Sequence, residues 1–203
     1  MGLAPAALAL ALAGYLGAVL LAAAGMRRAY PYPDLALCNL VTLVRLVLTG
    51  ALLAPLAAPA SVPAILLVSI LALVLDGADG WLARRQRRES RFGARFDLEV
   101  DAALGLVLAL NACAAGIVGP AVLLLGLPRY AFAAAGWLWP PLARPLPERA
   151  GRKAVCVLQI SALIALQLPA LAGPPALAIV AATLAALAWS FGRDLRWLWR
   201  ARS

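Results

Sequence analysis

Five of the nine acidic residues, Asp76, Asp79, Asp97, Glu99 and Asp101, fall within 26 positions of one another. Asp76 and Asp79 are three apart and share a helix face, on which Gly80 and Ala83 continue a stripe of small residues. Asp97 and Asp101 are four apart and share a second face, with Gly93 one turn before them, whereas Glu99 points elsewhere. Four carboxylates brought close together repel and cannot all ionise unaided. Oxygen-ligated divalent cations relieve this, and Mg²⁺ typically combines carboxylates with substrate phosphates, a role Mn²⁺ also suits. Two such ions could clamp a pyrophosphate for displacement at phosphorus. The simpler alternative, acids pairing with arginines at a membrane surface, suits Glu99.

Other chemistries are excluded by composition. Histidine is absent, which removes His-based acid–base catalysis, His-containing triads and His-ligated metals. Cys38, Cys113 and Cys156 lie far apart in apolar runs and form neither a disulfide framework nor a metal pair. With 65% hydrophobic and 13% charged residues, the chain departs from soluble domains, which average about 45–50% apolar and 25% charged.

The elements that must carry the acids are therefore membrane helices. Apolar runs at Leu3–Ala24, Leu35–Leu56, Val62–Leu82, Leu98–Val118, Ala121–Trp139, Ala154–Leu171 and Ala176–Phe191 are each near the ~20 residues of a membrane span. The first run has no preceding basic residue and reads as a retained span rather than a signal peptide. The net charge of +9 then has a topological explanation. Sixteen of the eighteen basic residues fall after the first run, between the third and fourth, between the fifth and sixth, or after the seventh. Seven crossings place all of these on one side, the cytoplasm, and nucleic-acid binding loses its motive. The two exceptions, Arg45 and Arg129, fall inside apolar runs. The nine residues Arg84–Phe92 join the two acidic runs closely enough to make them antiparallel neighbours. Asp76 then lies about 12 Å of helix from the cytoplasmic end of its run.

The pattern Asp76-x2-Asp79-Gly80-x2-Ala83-Arg84-x8-Gly93-x3-Asp97-x3-Asp101 resembles the signature of the CDP-alcohol phosphatidyltransferases at every fixed position. Asn39-x2-Thr42-x2-Arg45 is similar to the opening of that family's first core helix, and Gly151-Arg152-x-Ala154 loosely resembles a later basic segment. The resemblance implies a six-helix core and transfer of a phosphatidyl group from CDP-diacylglycerol to an alcohol, with CMP leaving. It implies that Asp76, Asp79, Asp97 and Asp101 hold two divalent ions, with Asp101 as general base. It also implies that Asn39, Thr42, Gly80, Ala83, Arg84 and Gly93 shape the CDP pocket. Arg45 reads as a phosphate or Asp contact. Arg129, Arg149, Arg152 and Lys153 are candidate phosphate or acceptor contacts. The Gly-Lys-x-Lys-Thr pattern of phosphatidylglycerophosphate synthases is absent from this segment.

The expectation is an all-α, polytopic transmembrane helix bundle, with an added N-terminal span in residues 1–30 and a six-helix catalytic domain in 31–203. It would sit in the inner (cytoplasmic) membrane with its active site facing the cytoplasm, use Mg²⁺ or Mn²⁺, and form a homodimer as the family does. A polyol phosphate such as glycerol-3-phosphate or inositol phosphate is the favoured acceptor. The rival readings are a transporter, which intramembrane acids also suit, and an inactive family scaffold. No internal repeat supports a transporter, and the presence of all four Asp counts against a dead relative.

Overall fold

The computed structural model describes residues 36–58, 60–87, 90–138 and 150–200, with positions 5, 9, 13, 15–17, 19, 20 and 24 of the N-terminal segment. All eight longer elements among them are helices: α1 (Leu37–Ala51), α2 (Ala54–Ala57), α3 (Val62–Gln86), α4 (Arg91–Ala114), α5 (Leu123–Gly126), α6 (Pro128–Leu138), α7 (Ala150–Ala165) and α8 (Pro174–Arg200). The chain divides into two compact units, Met1–Val107 and Leu108–Ser203, with the division inside α4.

Among the described residues, three stretches are long and apolar enough to cross a membrane: Leu37–Ala57, Val62–Gln86 and Pro174–Trp197. Of the six apolar runs that fall in the described residues, three thus meet the criterion, the first of them across α1 and α2 together. The run expected at Ala121–Trp139 is divided by prolines: a 3₁₀ turn at Pro120–Val122, then α5, then α6 opening on Pro128. Proline is tolerated at a helix start but not inside one, because it lacks the N–H and its ring crowds the preceding turn. The run at Ala154–Leu171 becomes the 16-residue α7, followed by a 3₁₀ turn opening on Pro169. α4 has 24 residues, but its first three turns carry Arg91, Arg95, Asp97, Glu99 and Asp101. The span expected at Leu3–Ala24 and the boundary at residue 30 fall largely outside the described residues.

In the first unit, α1 and α3 are paired through small and polar side chains. Cys38, Thr42, Arg45 and Thr49 are buried at helical spacing on α1, and Ser69, Ala72 and Asp79 are buried on α3. Lipid is as apolar as a leucine face, so membrane helices associate through close packing and hydrogen bonds rather than hydrophobic transfer. The small residues at 69 and 72 suit that requirement. The connection from α3 to α4 is tighter than the expected nine residues. α3 continues through Arg84 and Arg85, whose charges favour a helix C-terminus. It ends at Arg87, which takes the left-handed conformation at φ 52°. α4 starts four residues later, with the Ser90 hydroxyl accepting the Gly93 N–H at 2.9 Å as an N-cap.

The second unit is held by side-chain amides as well as apolar packing. Gln167 donates to the carbonyls of Leu108 (3.0 Å) and Leu163 (2.8 Å), and Gln159 to that of Leu125 (2.5 Å). The rings of Phe132 and Phe191 lie 5.7 Å apart, joining α6 to α8. α8 begins on Pro174-Pro175 after Gly173, whose φ of +87° makes the turn, and it runs nine residues past the expected end at Phe191. No breaker stronger than Gly192 interrupts it.

Ala72 is wholly buried. Ala72→Leu should force α3 away from α1 and cost about 1–3 kcal/mol, read as a lower Tm of the purified protein in detergent.

Candidate active site

Arg45 is the centre of the site. It lies two turns into α1 with its side chain only 1% exposed. Its Nε donates to the carbonyl of Ala72 at 3.2 Å, which fixes the plane of the guanidinium against α3. Nη1 donates to Asp79 Oδ2 at 2.8 Å and to Asp97 Oδ1. Nη2 donates to Asp101 Oδ1 and lies 3.1 Å from Asp76 Oδ1. One guanidinium therefore touches all four carboxylates of the spaced acidic pattern, two from α3 and two from α4. This planar fork of donors is specific to arginine; a lysine ammonium is a point charge and cannot divide itself in this way.

The four carboxylates are not equivalent. Asp79 is 5% exposed and also lies 3.1 Å from the Thr42 hydroxyl, which is equally close to the Cys38 carbonyl and has a single proton to give. Asp76, Asp97 and Asp101 are 14, 35 and 29% exposed. One carboxylate oxygen from each of these three lies within 4.8 Å of the others. Asp79 is thus the buried anchor, and the other three face an accessible space.

That arrangement fits a divalent cation. Four carboxylates and one guanidinium leave an excess of three negative charges when all are ionised. Like charges at this separation repel by about 3 kcal/mol per pair at an effective dielectric near 20. The donors are all oxygen, as Mg²⁺ and Mn²⁺ prefer. Opposite ligands of a six-coordinate Mg²⁺ stand about 4 Å apart, so small rotations of Asp76, Asp97 and Asp101 would accommodate one.

The remaining sequence candidates are placed as follows. Asn39 is buried on α1, and its Nδ2 has no hydrogen-bond partner among the described residues. Its Oδ1 would lie 3.2 Å from a Cβ added at Gly93, and the Ser90 Oγ 3.1 Å. Glycine at 93 therefore lets the α4 cap and α1 approach each other. Gly80 and Ala83 are half-buried on α3, while Arg84 and Glu99 are exposed. Arg129, on α6, and Arg152 and Lys153, on α7, belong to the second unit; Arg149 lies outside the described residues. Lys153 is exposed, but Arg152 is not a free cation. Its Nε and Nη2 donate to Asp194 at 3.0 and 3.2 Å, and Asp194 is buried on α8. The sequence reading passes over Asp194, whose signal is a single acid inside the basic end of the last helix. It also passes over the Ala72 carbonyl, because a backbone acceptor leaves no mark in residue types.

A model of the CDP-alcohol phosphatidyltransferase family matches residues 35–192, more than three quarters of the chain. No curated protein and no solved structure gives a significant match. The matched stretch contains every residue of the Arg45 cluster.

Removing the guanidinium leaves its carboxylate partners uncompensated. Arg45→Ala should destabilise the protein by about 3–5 kcal/mol, measured by thermal or denaturant unfolding without added divalent ions.

Proposed function

The chain belongs to the CDP-alcohol phosphatidyltransferase family, membrane transferases of lipid synthesis, and we propose that it moves a phosphatidyl group from CDP-diacylglycerol to an alcohol with release of CMP. The observation that carries this reading is the trio Asp76, Asp97 and Asp101, with carboxylate oxygens within 4.8 Å of one another beside a buried fourth Asp. A pyrophosphate is the substrate group for which a concentrated, accessible set of carboxylates with divalent counter-ions is suited.

In this reading Asp76, Asp97 and Asp101, with Asp79 behind them, hold two Mg²⁺ or Mn²⁺ ions. When bound, these supply Lewis-acid charge that binds the pyrophosphate and offsets the charge on the departing CMP phosphate. Asp101 accepts the proton of the acceptor hydroxyl. That oxygen forms a bond to the phosphorus bearing diacylglycerol, and the bond from this phosphorus to the bridging oxygen breaks. CMP leaves with the electron pair. Arg45 keeps the four carboxylates oriented through its five polar contacts. Asn39, Thr42, Gly80, Ala83, Arg84 and Gly93 border the nucleotide pocket, with the Asn39 amide as a donor for the base or sugar. Arg129, Arg149 and Lys153 favour a phosphorylated polyol as acceptor, and Arg152 contributes through its pair with Asp194. The basic clusters favour a site facing the cytoplasm at the cytoplasmic membrane, and we propose a homodimer by analogy with the family.

The purified protein should release CMP from CDP-diacylglycerol with Mg²⁺ or Mn²⁺ and one member of an acceptor panel, with the lipid product identified by mass. EDTA should abolish the release and excess Mg²⁺ restore it. Asp101→Asn should lower the rate by about 10²–10⁴-fold. Wild-type turnover in that variant, or activity indifferent to chelator, would overturn the assignment.

Lys153→Ala should raise the KM for a phosphorylated acceptor with kcat unchanged. An unchanged KM would restrict Lys153 to a topological role.

A further inference from the structure

We propose that the N-terminal segment, which precedes the family domain, positions the carboxylate site, and that Tyr15 is its positioning residue. The Tyr15 hydroxyl donates to the carbonyl of Leu46 at 2.6 Å. The phenol end of its ring lies against Gly50: a Cβ there would come within 2.5, 2.7 and 2.9 Å of Cζ, Cε2 and Cε1. No side chain at position 50 could coexist with the ring in this place. Leu46 and Gly50 are one turn apart on α1, so ring and hydroxyl grip the same strip of backbone.

The apolar neighbours extend the grip to α4. Tyr15 and Val19, themselves one turn apart, pack against Leu46, Phe96 and Val100. Each of these three adjoins a residue of the site: Leu46 follows Arg45, Phe96 precedes Asp97, and Val100 precedes Asp101. Tyr15 and Val19 thus pack on residues flanking those that meet at the guanidinium. Arg45 reaches Asp97 and Asp101 only while α1 and α4 keep their spacing, and Tyr15 and Val19 pack on the cluster that joins the two helices. Simple space-filling would be served equally by phenylalanine. The hydroxyl adds a directional bond in an apolar setting, where a carbonyl keeps a second lone pair beyond its helical bond.

The inference rests on the metal-dependent reading of the site, so its test reads metal binding rather than turnover. Full-length wild type, Tyr15→Phe, Gly50→Leu and Asp76→Ala would be titrated with Mn²⁺ by electron paramagnetic resonance, with thermal unfolding recorded in parallel. Tyr15→Phe should raise the Mn²⁺ Kd about two- to tenfold, the loss of one hydrogen bond. Gly50→Leu, which displaces the ring, should raise it about tenfold or more. Unchanged Kd in folded Tyr15→Phe, with a lower Tm or without one, would overturn the positioning role, and a loss of binding in Asp76→Ala would then leave the metal reading standing. Absence of Mn²⁺ binding by the wild type would overturn both.

Discussion

One buried guanidinium joins three helices. Arg45 ties α1 to a carbonyl and two carboxylates of α3 and to two carboxylates of α4. A single charge within an apolar layer costs at least a few kcal/mol, so Arg45 is sustained only by partners that converge on it. The carboxylates likewise need the cation, because four of them at this spacing repel. Each side makes the other tolerable, and neither would persist alone. The first unit is organised around that mutual requirement.

The surrounding packing follows from it. Ser69 and Ala72 are small where α3 meets α1, so the Ala72 carbonyl can come within reach of Nε. Gly93 carries no Cβ where the start of α4 meets Asn39 and the Ser90 cap. Gly50 carries none where Tyr15 lies on α1. In lipid, close backbone approach and satisfied polar groups replace hydrophobic transfer as the source of association. The four positions without bulk are the places where that approach is made.

The second unit uses the same physics for a different end. Gln159, Gln167 and the Arg152–Asp194 pair satisfy one another or backbone carbonyls inside an apolar helical frame. The pair changes how Arg152 is understood. Its guanidinium is already engaged by a buried carboxylate. Lys153, one residue on, is exposed.

The sequence by itself determined the helical class, the membrane setting and the identity of the four aspartates. These depend on local regularities: apolar length, three- and four-residue spacing, and residue types with few alternative roles. Of the six apolar runs that fall in the described residues, three are self-sufficient spans, because proline and clustered charge interrupt runs that average hydrophobicity treats as continuous. Only the tertiary structure decided that Arg45 contacts all four carboxylates, that Asp79 is the sheltered one, and that Arg152 is paired with Asp194. Those outcomes depend on residues 31 to 56 positions apart for Arg45 and 42 apart for Arg152. Spacing along a helix places residues on a common face, but which face meets which is settled by packing between helices. That packing turns on positions such as Ala72 and Gly50, whose contribution is the room they leave and the backbone they expose.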